Sequence, residues 1–147
     1  MLGSSEPSPL SVLVVEDLDD DYDTVVEGAR RAGVSNPLVR VRTLAEARAL
    51  LHDGPRPEFG FVLLDVNLPD GPGRELVEIL RADGGLRTTP VVVFSTSDNP
   101  RDLRQLYDAG VNAYHVKALR HRDNLEQLST IFAYWLHAVR LDDSTPA

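Results

Sequence analysis

Phe61-Val62-Leu63-Leu64-Asp65-Val66-Asn67-Leu68-Pro69-Asp70-Gly71 is an apolar run that ends in a carboxylate and passes at once into turn chemistry. Such a run reads as a buried strand that delivers its acid to the rim of a sheet. In an open parallel sheet the carboxyl ends of the strands are where ligands gather. An earlier apolar run, Val12-Leu13-Val14-Val15, ends in a second acidic pair, Glu16-Asp17. Two strands presenting carboxylates at one rim make a site suited to a divalent cation and a phosphoryl group.

The rest of the chain alternates around these two strands. Tyr22, Val25, Val26 and Ala29 recur at helical spacing, which predicts a helix from about Asp19 to Ala32 closed by Gly33. Leu38-Val39-Arg40-Val41 is a short strand. Thr43-Leu44-Ala45-Glu46 has the form of a capping box, with reciprocal side-chain bonds expected between Thr43 and Glu46. Its helix ends near His52, before Gly54-Pro55-Arg56-Pro57. The third strand is expected over Phe61 to Asp65. A third helix carries Glu75, Leu76, Ile79 and Leu80 and stops at Gly84-Gly85. Val91-Val92-Val93-Phe94-Ser95 is the fourth strand, apolar up to its hydroxyl end. Asn99-Pro100 starts the fourth helix, with Asn as cap and Pro at the first helical position, and Gly110 closes it. Ala113-Tyr114-His115-Val116 is the fifth strand. A last helix is expected from about Arg122 to Arg140, with Leu125, Leu128, Ile131, Phe132, Trp135, Leu136 and Val139 inward. Strand–helix repeated five times with short connections predicts an α/β fold, a doubly wound five-stranded parallel sheet.

With 147 residues and 42% hydrophobic content, the chain has room for one core. The expected division is a flexible tail over 1–9, one domain over 10–141 and a second tail over 142–147. A net charge of −8 argues against nucleic acid, whose phosphates need clustered Lys and Arg. No cysteine is present, so disulfides and thiolate metal sites are excluded, which fits the cytoplasm. No stretch approaches the roughly 20 apolar residues of a membrane span, and residues 1–9 do not form a secretory signal. His52, His115, His121 and His137 have no ligand spacing with acids.

Strands one, three, four and five thus end in Glu16-Asp17, Asp65, Ser95 and Lys117. Carboxylates within 4–5 Å repel by about 4 kcal/mol per close pair at an effective dielectric near 20. A hard cation such as Mg²⁺ fits all-oxygen ligands and offsets that repulsion. Lys117 offsets it too, as a point charge able to hold a phosphoryl oxygen. Six of the eight residues from Glu16 to Asp23 are acidic. Of these, Asp19, Asp20, Asp21 and Asp23 read as first-turn acids favoured by the helix dipole.

The four motifs Val-Val-Glu16-Asp17, Leu-Leu-Asp65-Val-Asn67-Leu-Pro69, Val-Val-Phe-Ser95 and Tyr114-His-Val-Lys117 come in one order. With that order the chain resembles the response-regulator receiver domains of two-component signalling, over about residues 10–140, a flavodoxin-like (βα)5 fold. The resemblance implies that Asp65 accepts phosphate from a histidine kinase. It implies that Asp17, Asp65 and the Asn67 carbonyl hold Mg²⁺, with Glu16 acting through a water. Ser95, Thr96 and Lys117 would contact the phosphoryl oxygens. Ser95 and Tyr114 would form the switch, and Asn67 and Ser97 would tune the lifetime of the acyl phosphate. The chemistry implied is self-catalysed phosphotransfer and autodephosphorylation at Asp65, not turnover of a substrate as by an enzyme.

The last helix, with Phe132-Ala133-Tyr134-Trp135-Leu136, is similar to that of single-domain regulators paired with phytochrome kinases. This implies a bacteriophytochrome as kinase partner and output by protein contact or phosphorelay. It also implies a homodimer built on the fourth helix, fifth strand, fifth helix and C-terminal tail, with Phe132, Trp135, Leu136 and Val139 at the interface. Two departures stand out. Ala118 follows Lys117 where the family usually has proline, so a trans bond and a repositioned loop are expected. Ser95 stands where threonine is commoner. The alternatives are a pseudo-receiver that only binds proteins, a flavin- or nucleotide-binding module, and an aspartate-nucleophile phosphatase. The phosphatase would want a second aspartate two places after the nucleophile, where Asn67 stands. The nucleotide module would want a glycine- or hydroxyl-rich loop after the first strand, where the acids stand.

Overall fold

The computed structural model describes residues 10–142. The tail expected over 1–9 lies outside them, and of the tail expected over 142–147 Asp142 alone is described, accepting a bond from the Thr88 hydroxyl at 2.9 Å. The elements are β1 (Ser11–Val15), α1 (Asp19–Arg31), β2 (Leu38–Val41), α2 (Leu44–His52) and β3 (Phe59–Leu64). There follow β4 (Asn67–Leu68), β5 (Gly71–Pro72), α3 (Gly73–Ala82), β6 (Val91–Ser95), α4 (Pro100–Ala109), β7 (Ala113–Val116) and α5 (His121–Ala133). Five strands form one parallel sheet in the order β2-β1-β3-β6-β7. The doubly wound α/β expectation is met.

Period-two alternation builds both cores. Leu13 and Val15 of β1, with Val62 and Leu64 of β3 and Val91 and Val93 of β6, pack on α2, α3 and α4. Val12 and Val14, with Phe61, Leu63, Val92 and Phe94, pack on α1 and α5. On that second face α1 and α5 meet closely. A Cβ on Gly28 would lie 2.5 Å from the Cβ of Leu128.

Three local expectations are corrected. β3 starts at Phe59, two residues early, because a register shift between Ser11 and Val12 accommodates Gly60, whose position a side chain would crowd against Leu10, Leu136 and Leu141. Thr43 accepts the Glu46 amide at 3.0 Å as expected, but the preceding amides, Leu44 and Ala45, bond the carboxylate of Asp70 at 2.8 and 3.0 Å. The last helix is not uniform. After Ala133 it widens into a π-turn, Tyr134–Ala138, in which the Val139 amide bonds the Tyr134 carbonyl at 3.0 Å. The wider turn lets adjacent Trp135 and Leu136 both lean on the α1/α5 core.

Candidate functional site

The hydrogen-bond ladder runs one residue past the strand ends and fixes the site to the rim. Val15 pairs with Leu64 and Ser95 with Val116. The Glu16 amide bonds the Val41 carbonyl and the Asp65 amide the Val15 carbonyl, both at 3.0 Å, and the Lys117 amide bonds the Ser95 carbonyl at 2.7 Å. Main-chain pairing therefore brings Glu16, Asp65 and Lys117 together. The start of α3 presses on the same loop, where a Cβ on Gly73 would lie 3.0 Å from the Val66 Cα and 3.2 Å from the Asp65 carbonyl oxygen.

The Lys117 ammonium sits inside this rim, 9% exposed as a side chain. It lies 3.2 Å from Glu16 Oε1, 3.0 Å from Asp21 Oδ2 and 3.8 Å from Asp65 Oδ2. It also stands 5.5 Å from the centre of the Phe94 ring. Burial alone would depress this ammonium, but Glu16, Asp65 and Asp21 outweigh it and hold its pKa above the usual lysine value. Glu16 is itself buried, and burial pushes its carboxyl up to about 7; Lys117 pulls it down and Asp65 pushes it further up. The second Glu16 oxygen accepts the Leu18 amide at 3.2 Å. Asp65 Oδ1 accepts the Asn67 amide at 3.3 Å, leaving Oδ2 toward Lys117.

Among the described residues the acids that could share a cation are Glu16, Asp21 and Asp65, with ligand oxygens all within 4.8 Å of one another. Asp21, which the sequence reading does not name as a ligand, is one of these three; Asp17, which it does name, is not among them. The sequence reads Asp21 first as an acid of the opening helical turn. The missed signal is its place four residues before buried Val25 and seven before Gly28, on the core-facing stripe of α1. Asp19 is held elsewhere, by Arg40 at 2.8 Å and Arg42 at 3.0 Å. Arg40 also donates to the Glu16 carbonyl at 3.0 Å and stacks on Tyr22, so this β2 residue braces the loop after β1.

The hydroxyl residues form a chain across the β6–α4 loop. Ser95 is fully buried, and its Oγ accepts the Ser97 amide at 3.2 Å. The Ser97 hydroxyl donates to Asp102 at 2.7 Å, and half-buried Tyr114 donates its hydroxyl to the Ser97 carbonyl at 2.8 Å. Thr96 and Asn67 are exposed at the rim. The Lys117–Ala118 bond is trans, as expected. Of the residues expected at a dimer interface, Phe132 is fully buried, edge-on to Phe61 at 5.5 Å, and so is a core residue. The sheet face over β1 and β3 needs that ring, which explains the correction. Trp135, Leu136 and Val139 are half-buried, and the large apolar side chains left exposed include Tyr134, Val116, Leu103 and Tyr107.

Residues 12–129 match the family model described as the response regulator receiver domain. The chain is 33% identical to response regulator Rcp1 of Synechocystis over 147 residues, covering 96% of this chain and 98% of Rcp1. The crystal structure of the Mn²⁺-bound form of Rcp1 aligns at TM-score 0.82 with 32% identity, over 91% of this chain and 99% of that one. The phosphorylated cyanobacterial phytochrome response regulator RcpA aligns at TM-score 0.82 and 32% identity, over 90% and 98%. RPA3017, a response regulator in red light signalling of R. palustris, aligns at 0.81 and 30%, over 92% and 99%.

Proposed function

Because the chain belongs to the response-regulator receiver domain family, we propose that Asp65 is its phosphoacceptor, charged by the phosphohistidine of a phytochrome-type sensor kinase. One observation carries this reading: Lys117 is held within 4 Å of Asp65, Glu16 and Asp21 together. In the transfer a carboxylate oxygen of Asp65 forms a bond to phosphorus as the bond from phosphorus to the donor's imidazole breaks. The electron pair leaves with the nitrogen, which takes its proton from water. Transfer of this kind depends on alignment and charge neutralisation, and the residues at this rim supply both. Asp65 Oδ1 accepts the Asn67 amide, so Oδ2, on the Lys117 side, is the oxygen that would attack. Lys117 stands beside it to meet the arriving phosphoryl oxygens.

Three carboxylates within 4.8 Å suit a hard divalent cation. Glu16, Asp21 and Asp65 are the residues that would hold it, with the Asn67 carbonyl and Asp17 as the ligands that the family pattern adds. When bound, Mg²⁺ would neutralise the oxygens of the incoming phosphoryl group. The hydrogen-bonded series Ser95–Ser97–Tyr114 supports a switch role, since a shift of the Ser95 hydroxyl disturbs the carbonyl that Tyr114 holds. The names of the relatives support a phytochrome as the input, and the chain would act in the cytoplasm. Exposed Leu103, Tyr107, Val116 and Tyr134 support self-association through α4, β7 and the π-turn, with Phe132 removed from the interface.

The test is incubation with Mg²⁺ and a small phosphodonor, followed by intact mass. A gain of one phosphoryl group, lost in Asp65→Asn and greatly slowed in Lys117→Ala, is expected. No gain in the wild type would leave a protein-binding module, and steady hydrolysis of a free phosphate ester would indicate a phosphatase.

A further inference from the structure

The sheet ladder ends with the Lys117 amide, yet the chain beyond it is tightly held. The side-chain amide of Asn124, in the first turn of α5, takes both main-chain polar groups of Ala118. Its Oδ1 accepts the Ala118 amide at 2.6 Å and its Nδ2 donates to the Ala118 carbonyl at 3.0 Å. Three residues on, Gln127 donates to the Val116 carbonyl at 3.1 Å. With the Lys117 amide on Ser95, the backbone on each side of Lys117 is pinned at four points. Asn124 also lines the pocket that contains the Lys117 ammonium, together with Glu16, Asp21, Phe94 and Leu119.

We propose that Asn124 is a positioning residue for Lys117, its two-point hold on Ala118 setting where the ammonium meets Asp65. The arrangement depends on residue 118 not being proline, since proline has no amide hydrogen for Oδ1 to accept. Ala118 and Asn124 are thus a matched pair: the loop forgoes the ring's rigidity and obtains its fixed path from α5. Lys117 reaches the site on a four-carbon stem, so a small rotation of the loop moves the ammonium among three carboxylates. Small misplacements of a catalytic-site cation have large effects on rate. This inference rests on the phosphoacceptor reading of Asp65 given above.

The experiment compares Asn124→Ala, Asn124→Asp and Lys117→Ala with the wild type. It measures the phosphorylation rate at saturating small phosphodonor, the Mg²⁺ midpoint of that rate, and the melting temperature. Asn124→Asp keeps the shape and the acceptor but sets oxygen against oxygen at the Ala118 carbonyl, and so serves if the alanine variant folds poorly. Both Asn124 variants are expected to slow phosphorylation by about tenfold, with any shift of the Mg²⁺ midpoint in the same direction as that of Lys117→Ala, which removes a cation from beside the three carboxylates. A rate unchanged in folded Asn124 variants while Lys117→Ala is slow overturns the positioning role alone. Loss of rate with the Mg²⁺ midpoint shifted opposite to that of Lys117→Ala, or with a lowered melting temperature that accounts for it, overturns it too, since that pattern reports general loosening. A Lys117→Ala variant as fast as wild type overturns the reading of the site itself, and this inference with it.

Discussion

Glu16 shows what one buried acid does to the molecule before any cation arrives. Its ordinary pKa of 4.5 is raised to about 7, chiefly by burial. The folded chain then binds this proton more tightly than the unfolded chain does. Stability contributed through Glu16 therefore falls as pH rises from about 4.5 to about 7 and is level above that. The total is up to about 3 kcal/mol. Glu16→Gln removes the titration, so in chelator the stability of wild type relative to this variant should decline across that window. Urea unfolding at a series of pH values measures it, and a constant difference would mean that Glu16 is ionised throughout.

At the scale of elements, packing is tightest where α1 crosses α5. Gly28→Ala sets a methyl 2.5 Å from Leu128, and overpacking of this kind costs about 1–3 kcal/mol. The loss should appear as a lower denaturant midpoint with an unchanged slope. Arg81 performs a comparable task on the other face. It donates to the carbonyls of Leu86, Arg87, Thr89 and Gly110 and so ties the loop before β6 to the loop before β7. Arg81→Met leaves those carbonyls without that donor and should destabilise by about 2–4 kcal/mol, read in the same way. Neither contact is legible from the residues alone, because both join positions far apart in the chain. Strand and helix identity was legible, since apolar runs, Asn99-Pro100 and Gly110 act within a few residues. Asp65 and Glu16 were legible because each ends an apolar strand, and Lys117 because it follows the fifth strand at the same rim. Asp21 and Asn124 were not, because a polar residue in a first helical turn already has a local explanation. Phe132 reads from the sequence both as inward-facing and as an interface residue, because a stripe of apolar residues does not say which of its members the sheet takes up completely.

For the molecule as a whole, a net charge of −8 with six acids between Glu16 and Asp23 sets the response to cations. A divalent ion at one hundred times its dissociation constant adds about 2.7 kcal/mol of stability. For a chain of this size that is roughly 5–10 °C in melting temperature. Mg²⁺ should raise the melting temperature accordingly, with Asp65→Asn and Asp21→Asn each losing at least half of the rise. Equal shifts in wild type and both variants would show that the ion acts on the surface at large. The contact between Asp70 and α2 carries this response further. Asp70 lies five residues after Asp65 and closes the amides of Leu44 and Ala45. These two protons are thus locked by the very segment that a phosphoryl group would pull upon. Their exchange with deuterated solvent becomes a gauge of strain in that segment, quickening or slowing with each modification of the aspartate, although neither residue touches it.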